Sequence, residues 1–144
     1  MSVSSIDHVL LLSDDIDAAR DFYCAVLGVA AGERPPLEFD GHWLYVAGAP
    51  RIHIANRAQY TAHARRIGLP APPAGTPVAI DHIAFVAGDY GEAVARLERA
   101  GVAAVRNSVP NAGLRQLFFV GPEGVRIEVN VVEGDRKEAG CEPL

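Results

Sequence analysis

The chain has 144 residues, 49% of them apolar and 22% charged, with a formal charge of −5 at pH 7, enough for one domain with a real core and without a low-complexity tract. The acidic balance argues against nucleic acid or an anionic membrane as partner. No apolar run reaches the length of a membrane span, and the opening Met1-Ser2-Val3-Ser4-Ser5 lacks the basic and apolar regions of a signal peptide, so the expected location is the cytoplasm.

Residues 5–12 alternate weakly and then run apolar, as a strand buried on at least one face does. Ser13 or Asp14 is the expected cap of the helix that follows, whose stripe is Ile16, Ala19, Phe22, Tyr23, Val26 and Leu27 and whose stop is Gly28. Three short strands are expected near 29–33, 42–47 and 50–55, with Asp40-Gly41 as a turn signal, then a short polar helix over 57–67. Residues 68–77, with four prolines nearby, read as an extended linker.

The pattern then repeats. Residues 7–29 and 81–102 both give Asp-His, an apolar strand, an acidic turn, an amphipathic helix and Gly-Val. In the second copy Asp89 with Glu92 resembles a capping box, Ala93, Val94, Leu97 and Ala100 form the stripe, and Gly101 ends it. Strands are expected near 103–109, 114–120 and 125–132, with Gly121-Pro122-Glu123-Gly124 as a turn. The expected fold is α+β: two βαβββ modules, about 4–67 and about 78–132, in one domain, whose mixed sheets curl toward one another to form a cup. The tail, 133–144, is charged and expected to be loose. Cys24 and Cys141 lie far apart and read as reduced thiols.

Four ligand-type residues fall at matched places in the two copies. His8 and His82 sit in Asp-His-aliphatic settings, and His53 and Glu128 lie 45 and 46 residues later inside Ile-His-Ile and Ile-Glu-Val. Read singly, each histidine is an ordinary strand residue, and Glu128 fits the outer face of a half-exposed strand. Duplication favours a metal site. Three imidazoles and a carboxylate suit a divalent transition ion (Zn, Ni, Co, Fe or Mn) better than Ca or Mg. His42, beside a turn, reads as a rim or surface residue, and His63, among arginines, as solvated.

These motifs resemble the vicinal oxygen chelate superfamily, which includes glyoxalase I, methylmalonyl-CoA epimerase, extradiol dioxygenases and the fosfomycin and bleomycin resistance proteins. The matching elements are Asp7-His8-Val9, Asp21-Phe22-Tyr23, Leu27-Gly28, Asp81-His82-Ile83-Ala84-Phe85, and Leu117-Phe118-Phe119 leading through Gly121-Pro122-Glu123-Gly124 to Ile127-Glu128-Val129-Asn130. They span residues 4–132. The resemblance implies a glyoxalase-like fold, a homodimer whose sites can draw ligands from two chains, and metal ligation at His8, His53, His82 and Glu128. His53 departs from the Glu or Gln common at its position in the glyoxalase and epimerase branches.

The expected chemistry is that of a metal-dependent lyase or isomerase acting on a small substrate with vicinal oxygens. The ion stabilises an enediolate or enolate, and Glu128, leaving the ion, is the catalytic base. If His53 faces elsewhere, His8, His82 and Glu128 form a facial triad suited to an Fe(II) ring-cleaving dioxygenase. A metal-free binding or resistance protein is the reading from another class. Trp43, Tyr45, Arg115 and Phe118 are pocket candidates, with Arg115 suited to gripping a carboxylate or phosphate. Arg115 and Gln116 point to opposite faces by strand alternation, so at most one of them reaches the cup.

Overall fold

The computed structural model describes residues 5–70, 80, 82–109 and 113–132. Asp81, Cys141, most of the linker and the tail from Glu133 lie outside that set. The chain divides into two compact units, Met1–Ala79 with Gly121–Gly124, and Ile80–Val120 with Val125–Leu144.

In the first unit β1 (Val9–Ser13), α1 (Ile16–Leu27), β2 (Ala30–Gly32), β3 (Gly41–Val46), β4 (Ala49–Asn56) and α2 (Arg57–Arg66) follow in order. The sheet order is β1-β4-β3-β2, with β1 parallel to β4 and the other pairs antiparallel. Helix α1 starts at Asp15, whose carboxylate accepts from the Ala18 amide at 3.0 Å. Ser13 and Asp14, the expected caps, are otherwise engaged. Ser13 still belongs to β1, opposite Asn56, and Asp14 binds Arg57. Gly28 closes the helix in the left-handed region (φ 68°), as expected from its lack of a Cβ.

The core of this unit is Ala19, Tyr23 and Val26 of α1 with Leu44, Ile52 and Ile54 of the sheet, all buried. Each large aliphatic among them contributes about 1.5–3 kcal/mol by leaving water. His42 fixes which sheet face the helix covers. It shares the Leu44 and Ile54 side of the pleat, and its Nε2 lies 2.8 Å from Asp17 of α1. Alternation therefore puts Leu10, Trp43 and His53 on the opposite face.

Asp40-Gly41, the expected turn signal before β3, falls at the end of the β2–β3 connection, and the tight turn of the unit is instead Ala47-Gly48 between β3 and β4, both at positive φ. Gly41 opens β3, and a Cβ there would collide with the Ile54 carbonyl oxygen, which is why a glycine stands at that place.

The second unit repeats the plan with β5 (His82–Val86), α3 (Tyr90–Arg99), β6 (Val105–Val109), β7 (Leu114–Val120) and β8 (Arg126–Val132), in the order β5-β8-β7-β6 and with β5 parallel to β8. Asp89 caps α3 by accepting from the Glu92 amide at 2.8 Å. Leu97, Leu117, Phe119, Ile127, Val129 and Val131 form its core. Arg115 stacks over Tyr90 of α3, and Leu117 lines a small cavity with Leu97, so this parity of β7 faces the helix. Gln116, Phe118, Glu128 and Asn130 take the other face.

Between β7 and β8 the short turn Pro122–Gly124 places Glu123 at φ 60°. The Glu123 carboxylate accepts from Ser13 Oγ at 2.9 Å and the Asp14 amide at 3.1 Å, and pairs with Arg57 at 2.9 Å. Among the described residues no helix is long and apolar enough to cross a membrane.

Candidate metal centre

In the first unit two of the expected ligands meet on the sheet face that α1 leaves uncovered. Leu10 of β1 and Trp43 of β3 flank His53 on the rungs to either side. His8, just before β1, lays its ring on that of His53 with centroids 3.9 Å apart and 16° between planes. Trp43 stacks on the other side of His53 at 4.1 Å and 5°.

The segment before β1 is tied down. Arg51 Nη1 donates to the carbonyls of Ile6 and Asp7 at 3.0 and 2.7 Å. Asp7 Oδ2 lies 2.6 Å from His8 Nδ1. A carboxylate on one ring nitrogen fixes the tautomer and leaves the other nitrogen as the ligand atom. The His8 hydrogen bond lowers the Asp7 pKa below the ordinary value.

His53 is partly shielded by its neighbours. Burial, and next the nearby His8, lower its pKa below the ordinary imidazole value, against the raising effect of its contact with the Pro50 carbonyl. The shift favours the neutral form, the one that binds metal.

In the second unit the other two expected ligands also meet. His82 Nε2 lies 3.0 Å from Glu128 Oε2. Glu128 is only 7% exposed, and a carboxylate that deep requires partners. Its Oε1 accepts from Gln116 Nε2 at 2.7 Å. Gln116 in turn reaches Asn130 Oδ1 at 3.1 Å, and its own Oε1 accepts from Asn107 at 2.7 Å.

Gln116 carries no charge and no ligand motif, so sequence reasoning passed over it in favour of Arg115. Alternation left the choice between the two open. The structure puts Arg115 on the helix side over Tyr90 and Gln116 beside Glu128. Phe118 shares the Glu128 rung. Trp43 and Tyr45 line an open groove of about 430 Å³ together with Glu33, Arg34 and Pro35.

The remaining histidines belong to structure. His42 bridges to Asp17 and Arg20 on the helix side. His63, expected to be solvated, has a side chain only 21% exposed. It pairs with Glu38 at 3.0 Å and lies against the Phe39 ring, because α2 folds its basic face over the loop before β3.

The structure thus brings the four expected ligands together as two pairs, each inside its own unit. Among the described residues no group of three or more His, Cys, Asp or Glu side chains is gathered into one cluster. The donor set itself fits a divalent transition ion: imidazoles, one with its tautomer set by a carboxylate, and a carboxylate whose orientation is held by an amide.

Comparison with known proteins gives one consistent family. Residues 5–129 match the model of the Glyoxalase/Bleomycin resistance protein/Dioxygenase superfamily. The chain is 33% identical over 132 residues to Glyoxylase I 4 of Arabidopsis thaliana, covering 90% of this chain and 71% of that protein. A glyoxylase/bleomycin resistance protein/dioxygenase domain from Frankia sp. EAN1pec superposes with a TM-score of 0.67 at 19% identity, over 92% of this chain and 94% of that one. Lactoylglutathione lyase from Agrobacterium tumefaciens superposes with a TM-score of 0.62 at 21% identity, over 91% and 96%.

Proposed function

Since the chain belongs to the Glyoxalase/Bleomycin resistance protein/Dioxygenase superfamily, we propose that it is a metal-dependent lyase or isomerase of the glyoxalase or epimerase type. Its substrate is a small carbonyl compound with oxygens on adjacent carbons. His8, His53, His82 and Glu128 are the ligands of the ion. The protein works as a homodimer.

The observation that carries this reading is Glu128. A carboxylate 7% exposed, on the sheet face away from α3, held at one oxygen by Gln116 and at the other by His82, is oriented and shielded as a proton-transfer group must be. A metal-free binding protein has no need of it. The name of the Arabidopsis relative points the same way.

A divalent transition ion, when bound, supplies the Lewis acidity that makes a C–H beside a carbonyl acidic. The chain's own residues do the rest. Glu128 would accept that proton at its carboxylate. Gln116 keeps Oε1 hydrogen-bonded while Oε2 works. Asp7 holds His8 through Nδ1. Trp43 and His53 exclude water from one side by stacking.

The experiment is hydrogen exchange in D2O. Small α-oxygenated carbonyl compounds are incubated with protein loaded in turn with Zn, Ni, Co, Mn or Fe(II), and deuterium at the carbon beside the carbonyl is read by NMR. Exchange that requires the ion and is lost in Glu128→Gln is the expected result. Oxygen uptake with catechols in place of exchange would replace this reading by ring cleavage.

A further inference from the structure

Across the uncovered face of the first sheet the rings follow the strand order. His8 precedes β1, His53 lies on β4 and Trp43 on β3, with successive centroids 3.9 and 4.1 Å apart. The next strand is β2, and the residue it sets opposite Trp43 is Gly32. The row of rings therefore meets a position with no side chain. Among the described residues Trp43 stacks with no ring but His53.

The space beyond is shaped. A Cβ on Gly32 would come within 2.6 Å of the Tyr45 ring, so that ring lies over the glycine. Tyr45 is held there by its hydroxyl, which donates to the Glu33 carbonyl at 2.9 Å. Glu33, Arg34, Pro35, Trp43 and Tyr45 line the open groove of about 430 Å³, within the range of small-ligand sites.

Arg34 supplies the charge. Its guanidinium donates to the Phe39 carbonyl and sits 5.2 Å above the Phe39 ring, which fixes its position. A guanidinium has five N–H donors, so an anchored Arg34 retains donors for a carboxylate.

We propose that the outer face of Trp43 and the guanidinium of Arg34 form a binding place for a flat conjugated ring bearing a carboxylate. In the proposed reaction this place holds the body of the substrate. Only that last clause rests on the reading above, because stacking and ion pairing need no metal.

The test uses the metal-free protein in EDTA. It is titrated with 2-naphthoate, with decahydro-2-naphthoate (the same charge without the conjugated ring) and with 2-naphthamide (the same ring without the charge). Trp43 is the single tryptophan, so its fluorescence reports the site directly, with calorimetry as the second readout. Saturable binding of 2-naphthoate is expected, about tenfold tighter than either analogue. Arg34→Gln should weaken it about tenfold while Arg34→Lys keeps most of the affinity. Gly32→Ala should also weaken it, by pushing the Tyr45 ring into the groove.

Equal binding of the saturated acid would overturn the stacking half. Equal binding of the amide, or by a folded Arg34→Gln, would overturn the role of Arg34. No binding of 2-naphthoate to folded protein would end the proposal and leave the metal reading standing. Binding intact in a protein that never retains metal would do the reverse.

Discussion

Gln116 Nε2 donates to Glu128 Oε1 at 2.7 Å from the neighbouring strand, and the same nitrogen reaches Asn130. These contacts orient the carboxylate, with its second oxygen 3.0 Å from His82. Gln116→Ala should therefore lower metal affinity about 10–100-fold, the usual cost of losing the partner that orients a ligand. Competition with a coloured chelator measures it. Circular dichroism should be unchanged, since Gln116 lies on the face away from the core.

Tyr23 is the largest core side chain of the first unit, and its hydroxyl has no hydrogen-bond partner among the described residues. Burial raises its pKa to about 12. A buried hydroxyl without a partner costs about 1–3 kcal/mol. Tyr23→Phe should thus leave the protein as stable or more stable, with Tm up by about 3 °C. The sign of the pH effect follows from the raised pKa. The unfolded chain ionises near 10 and the folded one near 12, so stability present below 10 is lost between those values. Tyr23→Phe should remove that loss in an alkaline melt series.

Glu123 is fixed by the Asp14 amide, the Ser13 hydroxyl and Arg57. The Asp14 amide, then Ser13, hold its pKa below the ordinary carboxylate value. A depressed pKa means that stability is present above the ordinary value and is lost as pH falls through the folded one. Glu123→Gln should lower Tm at pH 7, and the gap to the parent should close in acid. A gap that stays constant with pH would show that the carboxylate charge is not what matters there.

Much of this was legible in the sequence because it is written twice. The 74-residue offset of the Asp-His pairs, the two helical stripes and the stops at Gly28 and Gly101 gave both modules, and the sheets follow the same order in each. Local chemistry that competes at one place was harder to read. Ser13, Asp14 and Asp15 all suit a cap, and what decides among them is Asn56 opposite Ser13 and Arg57 beside Asp14, contacts more than 40 residues away. Gly41 looked like a turn residue, but its reason is the Ile54 carbonyl across the strand. Gln116 was hidden because a neutral amide carries no motif, whereas the charge of Arg115 drew attention to the wrong face. The stack of His8, His53 and Trp43 depends on strand order as well as alternation, so sequence gave the residue types without the contact.

Gly41 also yields a test of the first sheet. Gly41→Ala places a Cβ against the backbone oxygen of Ile54, which has no room to retreat between β3 and β4. Overpacking of this kind costs about 1–3 kcal/mol, readable as a shift of the urea midpoint without change in slope. Gly48→Ala, where a Cβ would meet nothing within 4 Å but φ is 80°, should cost less than that collision, near the penalty of a left-handed residue alone.

The central claim is that His8, His53, His82 and Glu128 hold one ion. Cobalt(II) titration tests it most directly, because the visible absorption of the ion reports its ligands. The account predicts one Co(II) per chain, with the spectrum altered in His53→Ala and lost alike in His8→Ala and His82→Ala. Binding that survives unchanged in both of the latter variants, or no binding by the parent protein, would contradict it.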